Sequence, residues 1–379
     1  MLTKALLDKL TRIRKTLHAH PELSEHEFET QKRILGFLVA ETRAMVQKVG
    51  NTGVIASFNS EVNGPTLLIR GDIDALPIAE TNTFDYKSVA PGVSHKCGHD
   101  GHTTILLGLA QVLSEQPITK GKVILLFQPA EENGMGAQAV LNDVAFPQKN
   151  IDFVFALHNL PGYKTHEIVV KENEFTGNVK SIILKMTGKT AHAAEPEQGN
   201  NPSMAIAELL AYADKINYNK PEKADFFLMT PIYATLGDLA YGISAGYGEV
   251  HFTIRSWDTN LMHQRSEKIV AFMEETCAKY KLTPAISWTQ IFHANINHPE
   301  AVDYIRQAAK HNNFSLIERE YPFRWGEDFG LFTQQFKGAM FGVGAGMSTP
   351  ALHNPDYDYP DEITATGIRM FHQVIQKIL

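Results

Sequence analysis

Only two cysteines occur in the 379 residues, Cys97 and Cys277. That excludes a disulfide framework and fits a reducing compartment. Basic residues are also in the minority: 35 Lys and Arg against 42 Asp and Glu leave a net charge of −7. No basic face is therefore expected to neutralise phosphates, which argues against sequence-independent nucleic-acid binding. No apolar run approaches the roughly 18 residues that suggest a membrane span. The opening stretch carries charge throughout, at Lys4, Asp8, Lys9, Arg12, Arg14 and Lys15, where a signal peptide would be apolar. The expectation is a cytoplasmic chain with neither a nucleic-acid nor a membrane partner. What the chain has in plenty is histidine: 16 residues, three of them between His95 and His102.

At roughly 100–200 residues per domain the length suggests two domains, and the pattern along the chain agrees. Leu6, Leu10, Ile13 and Leu17 follow a helical period behind Thr3, a candidate cap. Ser24-Glu25-His26-Glu27 reads as a capping box opening a second helix toward Leu38. Short apolar strands at Gly53–Phe58, Thr66–Arg70, Val123–Phe127 and Asp152–Leu157 then alternate with a helix from about His102 to Leu113, an α/β layer pattern. Between 178 and 291 the order becomes strand, helix, strand, strand, helix, strand. This is the β-α-β-β-α-β arrangement of a small ferredoxin-like unit. From about Pro299 the α/β pattern resumes, with the strand Ala339–Val343 and a last helix from about Asp361. The expected organisation is one α/β domain from residues 1–177 and 292–379, with residues 178–291 inserted as a second domain.

Several segments carry chemistry. Cys97-Gly98-His99-Asp100-Gly101-His102 packs a thiol, two imidazoles and a carboxylate beside two glycines, which let the backbone fold tightly. Thiolate and imidazole suit zinc and similar divalent metals, and no second Cys/His pair lies nearby to make a structural zinc knuckle. Glu131-Glu132 follows the strand Val123–Phe127. Adjacent carboxylates resist joint ionisation unless a cation is present, although a solvated surface pair is the commoner case. Asp72-Ile73-Asp74 closes the strand Thr66–Arg70 and by itself reads as a polar turn. His158 closes another strand, and His353 lies in a loop; a lone histidine at either place is usually structural. Their common placement at strand ends or in the loops beyond is what points to one crevice that could collect them.

These residues resemble the metal-dependent amidohydrolases of the aminoacylase/carboxypeptidase superfamily, in the hippurate hydrolase-like branch of N-acyl amino acid deacetylases and auxin-conjugate hydrolases. His18-Ala19-His20-Pro21-Glu22-Leu23 matches the opening motif. Arg70 to Ile78, Cys97 to His102, Gln128 to Glu132, Gly326-Glu327-Asp328-Phe329 and His353-Asn354-Pro355 continue in the family's order. The resemblance implies a zinc-peptidase-like catalytic domain, with a central mixed sheet and helices on both faces, and an inserted lid through which two copies pair. It implies two divalent metals, manganese or zinc with nickel or cobalt as further options, held by Cys97, His99, Glu132, His158 and His353, with Cys97 bridging. Glu131 would be the general base and Asp74 the orienter of a ligand. In Gly188-Lys189-Thr190-Ala191-His192 the histidine would stabilise the oxyanion. Arg255, on a strand where Val250, Phe252 and Ile254 should pack inward, would meet the substrate's carboxylate.

Two motifs depart from the family pattern: Thr190 and Ala191 stand where glycines are usual, and Gly242 stands where an asparagine often faces the substrate. The expected activity is hydrolysis of an N-acyl amino acid, with an acetyl group as the acyl part, to a carboxylate and a free amino acid. A dipeptidase or metallo-carboxypeptidase using the same two-metal centre is the nearest alternative. A metal-dependent binding protein is a third, against which Glu131 speaks, because a binder needs the ligand Glu132 and not the base.

Overall fold

The computed structural model describes residues 2–147 and 150–379, and these divide into two compact units. The first runs to Phe175 and resumes over Asn295–Glu320 and Glu327–Leu379; the second comprises Thr176–Ala294 with Tyr321–Gly326.

The first unit is built on an eight-stranded sheet. Its order is Met45–Val49, Gly53–Asn59, Lys122–Gln128, Thr66–Asp72, Phe153–Pro161, Lys337–Gly346, Ile168–Val170 and Leu316–Glu318. The four central strands, from Lys122–Gln128 to Lys337–Gly346, are mutually parallel; Gly53–Asn59 runs antiparallel to them, and the edge strand Met45–Val49 runs antiparallel to Gly53–Asn59. Side chains alternate along a strand. Leu67, Ile69, Leu125 and Phe127 join the large core cluster with the long helices, while the intervening Leu68, Ile124 and Leu126 are fully buried as well. Both faces of the sheet are therefore covered, as parallel sheets require. Because the central strands are parallel, their carboxyl ends lie along one edge, and the loops beyond them share one crevice.

Local signals place most helices where the pattern expects them. Thr3 caps Lys4–Ala19, its hydroxyl accepting from the Leu6 amide at 3.2 Å. The capping box expected at Ser24 to Glu27 is not formed. The helix Phe28–Glu41 has no side-chain bond from its N-cap, and its free amides at Glu29 and Thr30 donate instead to the Glu22 carboxylate at 3.1 and 2.7 Å. The third helix begins earlier than expected, at His99, because Gly98 adopts φ +92° and turns the chain into it directly.

The second unit is a four-stranded antiparallel sheet in the order Phe227–Leu236, Tyr247–Ser256, Asn178–Thr187 and Thr283–Phe292. The helices Ser203–Ile216 and Thr259–Lys279 cover one face. Val250, Phe252 and Ile254 are fully buried in that core, while His251, Thr253 and Arg255 are partly exposed on the other face. Tyr321–Gly326, which the sequence pattern leaves with residues 292–379, packs in this unit. Phe323 bridges Thr176, and the Arg324 carbonyl accepts from Arg255 Nη1 at 2.8 Å. A short aperiodic loop gives no signal of such an exchange.

Candidate metal centre

The crevice at the strand ends gathers the candidate residues of the first unit. Asp72 ends one strand, Cys97 and His99 follow in the next connection, Glu131 and Glu132 follow the strand Lys122–Gln128, and His158 lies near the end of its own strand. His353 comes from the loop after Lys337–Gly346, held by its amide to the Lys96 carbonyl at 2.7 Å. Cys97, His99 and His158 bring ligand atoms within 4.8 Å of one another, and so do Cys97, Glu132 and His353. The two triads share Cys97. All five ligand residues expected from the sequence converge, together with Glu131, which groups with His99 and Glu132.

Local backbone geometry aims these side chains. A Cβ at Gly98 would sit 2.7 Å from the Asn159 side chain, and φ +92° disfavours any other residue. Ala130, just before the two glutamates, has φ +52°, and His353 has φ +67°. Such conformations in non-glycine residues persist only where surroundings enforce them. At Ala130 the enforcement is visible: its amide donates to buried Glu27 at 2.7 Å, and Glu27 also accepts from Thr52 Oγ1. Burial, then the neighbouring Asp74, pushes Glu27 up to about 7 against those bonds.

Asp74 sits behind His99, with Oδ1 3.2 Å from Nδ1, and the Asp74 carbonyl is at 3.1 Å from the same nitrogen. Its other oxygen accepts from Ser24 Oγ at 2.7 Å and from the Glu132 amide at 3.0 Å. His99 thus turns Nε2 into the crevice, where it lies 3.8 Å from Glu132 Oε1 and 3.9 Å from Glu131 Oε2. His353 Nε2 is 3.6 Å from Glu132 Oε1, and Cys97 Sγ is 3.5 Å from His158 Nε2.

The donor set fits divalent cations. His99 Nε2 and Glu132 Oε1 are buried and lack hydrogen-bond partners, an arrangement costly for the protein unless something else binds there. Burial, then Glu132 and Glu131, pushes the Cys97 thiol well up. Burial likewise raises Glu131, with Glu327 and Glu132 adding to it, and lifts Glu132 to about 8 despite His99. His158 is driven down by burial and by His102. Among these groups His99 is instead raised to about 10: burial lowers it, but Asp72, Asp74 and Glu132 outweigh that. Crowded acids and imidazoles in one buried space are what a bound dication would stabilise in their ligating forms.

Sequence reasoning gave no role to a second layer of charge. Arg70, fully buried, donates to Asp72 at 2.6 Å, to Glu327 and Asp328 at 2.9 Å each, and to Gln128 at 2.9 Å. His102 is 2.5 Å from both Asp72 Oδ1 and Asn159 Oδ1. His18 lies between Asp100 at 2.8 Å and Glu80 at 3.0 Å. Each sits inside a motif quoted above, so the signal was there, but nothing in a linear string pairs Arg70 with Asp328.

The remaining candidates belong to the second unit. His192 is exposed on the two-stranded ribbon it forms with Ile243–Ser244, its Nδ1 accepting from the Ala194 amide. Arg255 forms no ion pair among the described residues; its Nη1 donates to the Arg324 carbonyl, and burial lowers its guanidinium's affinity for a proton. Cys277 is fully buried in the helical core, away from any ligand cluster found among the described residues.

Residues 68–377 match the model of peptidase family M20/M25/M40. The chain belongs to that family. It is 32% identical over 339 residues to N-acetyl-L-cysteine deacetylase of Bacillus subtilis, covering 88% of this chain and 80% of that one. It is 30% identical over 349 residues to N-acetyldiaminopimelate deacetylase of Priestia megaterium, covering 92% of each. Among solved structures, the Bacillus subtilis YXEP protein, described as a dinuclear metal-binding peptidase of the M20 family, superposes with a TM-score of 0.83 at 26% identity over 99% of both chains. The M20-family assignment and the two-layered site agree with the metal-dependent amidohydrolase resemblance read from the motifs.

Proposed function

We propose that this M20-family chain is a metal-dependent amidohydrolase that cleaves the amide bond of N-acyl amino acids, the acyl part being acetyl, to release a carboxylate and a free amino acid. The observation that carries the reading is the convergence of Cys97, His99, Glu132, His158 and His353 on one buried space, with Glu131 beside them. In this reading those five residues would hold two divalent cations, Cys97 being the residue common to both triads. When bound, such a pair lowers the pKa of water and polarises the amide carbonyl. Manganese or zinc is the proposed metal, with nickel and cobalt as further options.

The protein's own part is proton handling and orientation. Glu131 takes the proton of the attacking water and returns it to the leaving amine; its burial beside Glu132 favours a carboxylate able to hold a proton between those steps. Asp74 fixes the tautomer and direction of His99. From the second unit, His192 is assigned to the developing oxyanion and Arg255 to the substrate's free carboxylate. The deacetylase names of the relatives support the N-acyl substrate, and the family's peptidase members keep a dipeptidase as the second reading. Two free cysteines, one assigned to a metal, favour a cytoplasmic setting; no helix among the described residues is long and apolar enough to cross a membrane. A homodimer through the second unit is supported by its edge strand Phe227–Leu236, which exposes Ile232 and Tyr233.

The test is turnover on matched N-acetyl amino acids and dipeptides by enzyme stripped of metal and reloaded with manganese or zinc. Hydrolysis of the N-acetyl compounds, restored by metal, is expected. Hydrolysis of dipeptides alone would favour the second reading, and no metal dependence would overturn both.

A further inference from the structure

The helices Lys4–Ala19 and Phe28–Glu41 both rest on the helix His99–Glu115. Between them opens a cavity of about 340 Å³, a size within the rough 300–1,000 Å³ of small-molecule sites. Its floor is apolar, formed by Ile13, Leu17, Ile34 and Leu107. Its rim carries cations. Lys9 is already engaged, 2.8 Å from Glu41 and over the Phe37 ring. Arg12 and Arg33 are not: neither forms an ion pair among the described residues, and Arg33 Nη1 is buried with no hydrogen-bond partner. Glu29, one turn before Arg33, is held by Lys32.

A mid-helix glycine completes the wall. Gly36 lines the cavity, and a Cβ there would meet nothing within 4 Å. Glycine weakens a helix interior, and no close packing demands it at this position. Its effect is to leave the cavity open.

We propose that this cavity is a binding site for a small amphipathic carboxylate, its apolar body on the Leu17–Ile34–Leu107 floor and its carboxylate on Arg33 with Arg12 beside it. The complementarity is specific. A neutral hydrocarbon would leave Arg33 Nη1 without an acceptor, which is unfavourable for a buried donor. A small inorganic anion would answer the guanidinium and leave the apolar floor bare. A carboxylate accepts the planar fork of an arginine well. None of the residues involved belongs to the metal centre, so the site stands apart from the proposed reaction.

Calorimetric titration of the full, metal-loaded chain with octanoate, and separately with octanamide, tests it. Octanoate should bind saturably at one site per chain, and octanamide should bind at least about tenfold more weakly, as loss of a charge-assisted pair implies. Arg33→Gln should weaken octanoate by a similar factor. Gly36→Leu should fill the cavity and abolish binding, with the melting temperature and metal content retained. Equal affinity for octanoate and octanamide would overturn the proposal. So would octanoate binding that survives both substitutions unchanged, since that places the ligand elsewhere, or no binding to the unaltered chain. Should Gly36→Leu fail to fold, Arg33→Gln alone still decides the matter.

Discussion

Glu131 and Glu132 are neighbours in sequence with different surroundings. Glu132 faces His99 and His353, whereas Glu131 is flanked by Glu327 and Asp328. Glu131→Gln keeps shape and ligands, so metal content should stay while turnover falls by about 10²–10⁴-fold; elemental analysis and rate on one preparation check both. The cysteines give a paired control. Cys97→Ala should lower metal stoichiometry, because it removes the atom shared by both triads, and Cys277→Ala should leave it unchanged. Equal metal loss in the two would point to general destabilisation. His18 supplies a pH signature. Burial opposes its charge, but bonds to Asp100 and Glu80 prevail and raise it from 6.5 to about 9. A group raised in the folded state stabilises fully below its unfolded pKa and loses that contribution as pH climbs through the folded one. Stability should therefore decline between about pH 6.5 and pH 9, and His18→Gln should flatten that part of a melting-temperature profile.

At the scale of elements, the segment leading into the helix Phe28–Glu41 shows side chains taken from local duty for the site. Glu22 caps the helix, while Ser24 supports Asp74 and Glu27 holds Ala130. Glu22→Ala should cost about 1 kcal/mol of stability, the usual worth of a helix cap, with little change in metal binding. Ser24→Ala should do the reverse: a near-normal denaturation midpoint, but metal affinity lower by up to about tenfold, since Asp74 loses one of the bonds that orient it behind His99. Urea titration and competition with a chelator separate the two effects. If Ser24→Ala destabilises the fold and leaves metal affinity intact, the capping box is the better description after all.

Across the whole molecule, one buried arginine ties distant segments of the first unit together. Arg70 on a central strand meets Gln128 at the end of the next strand and Glu327 and Asp328 from the returning chain, more than 250 residues later. Arg70→Met would leave Asp72, Glu327 and Asp328 buried without their cation, which should cost about 3–5 kcal/mol. A chain that keeps its unfolding midpoint after that change would show the cluster to be dispensable. The same cluster backs Glu131, so this one residue links the closure of the sheet to the proposed base.

The periodic parts and the candidate ligands are legible in the linear chain. Period-2 and period-3.6 patterns located the long strands and helices, because burial of one face imposes those spacings, but not short elements such as Met45–Val49, Ile168–Val170 and Leu316–Glu318, which are too brief to show a period. Cys97 and His99 are legible because Gly98 marks a tight turn between two side chains of the type that ligates metals, and the main part of the second unit, Thr176–Ala294, is legible because its element order differs. Tertiary structure alone decided the rest. Ser24 could cap a helix or serve Asp74, and both satisfy the same hydroxyl; the choice depends on Asp74 arriving from just beyond the end of the strand Thr66–Asp72. Arg70, Glu27 and the exchange of Tyr321–Gly326 between units depend on charge pairs and contacts between residues far apart in sequence. Such pairs have no period and no fixed spacing, so only the folded chain reveals them.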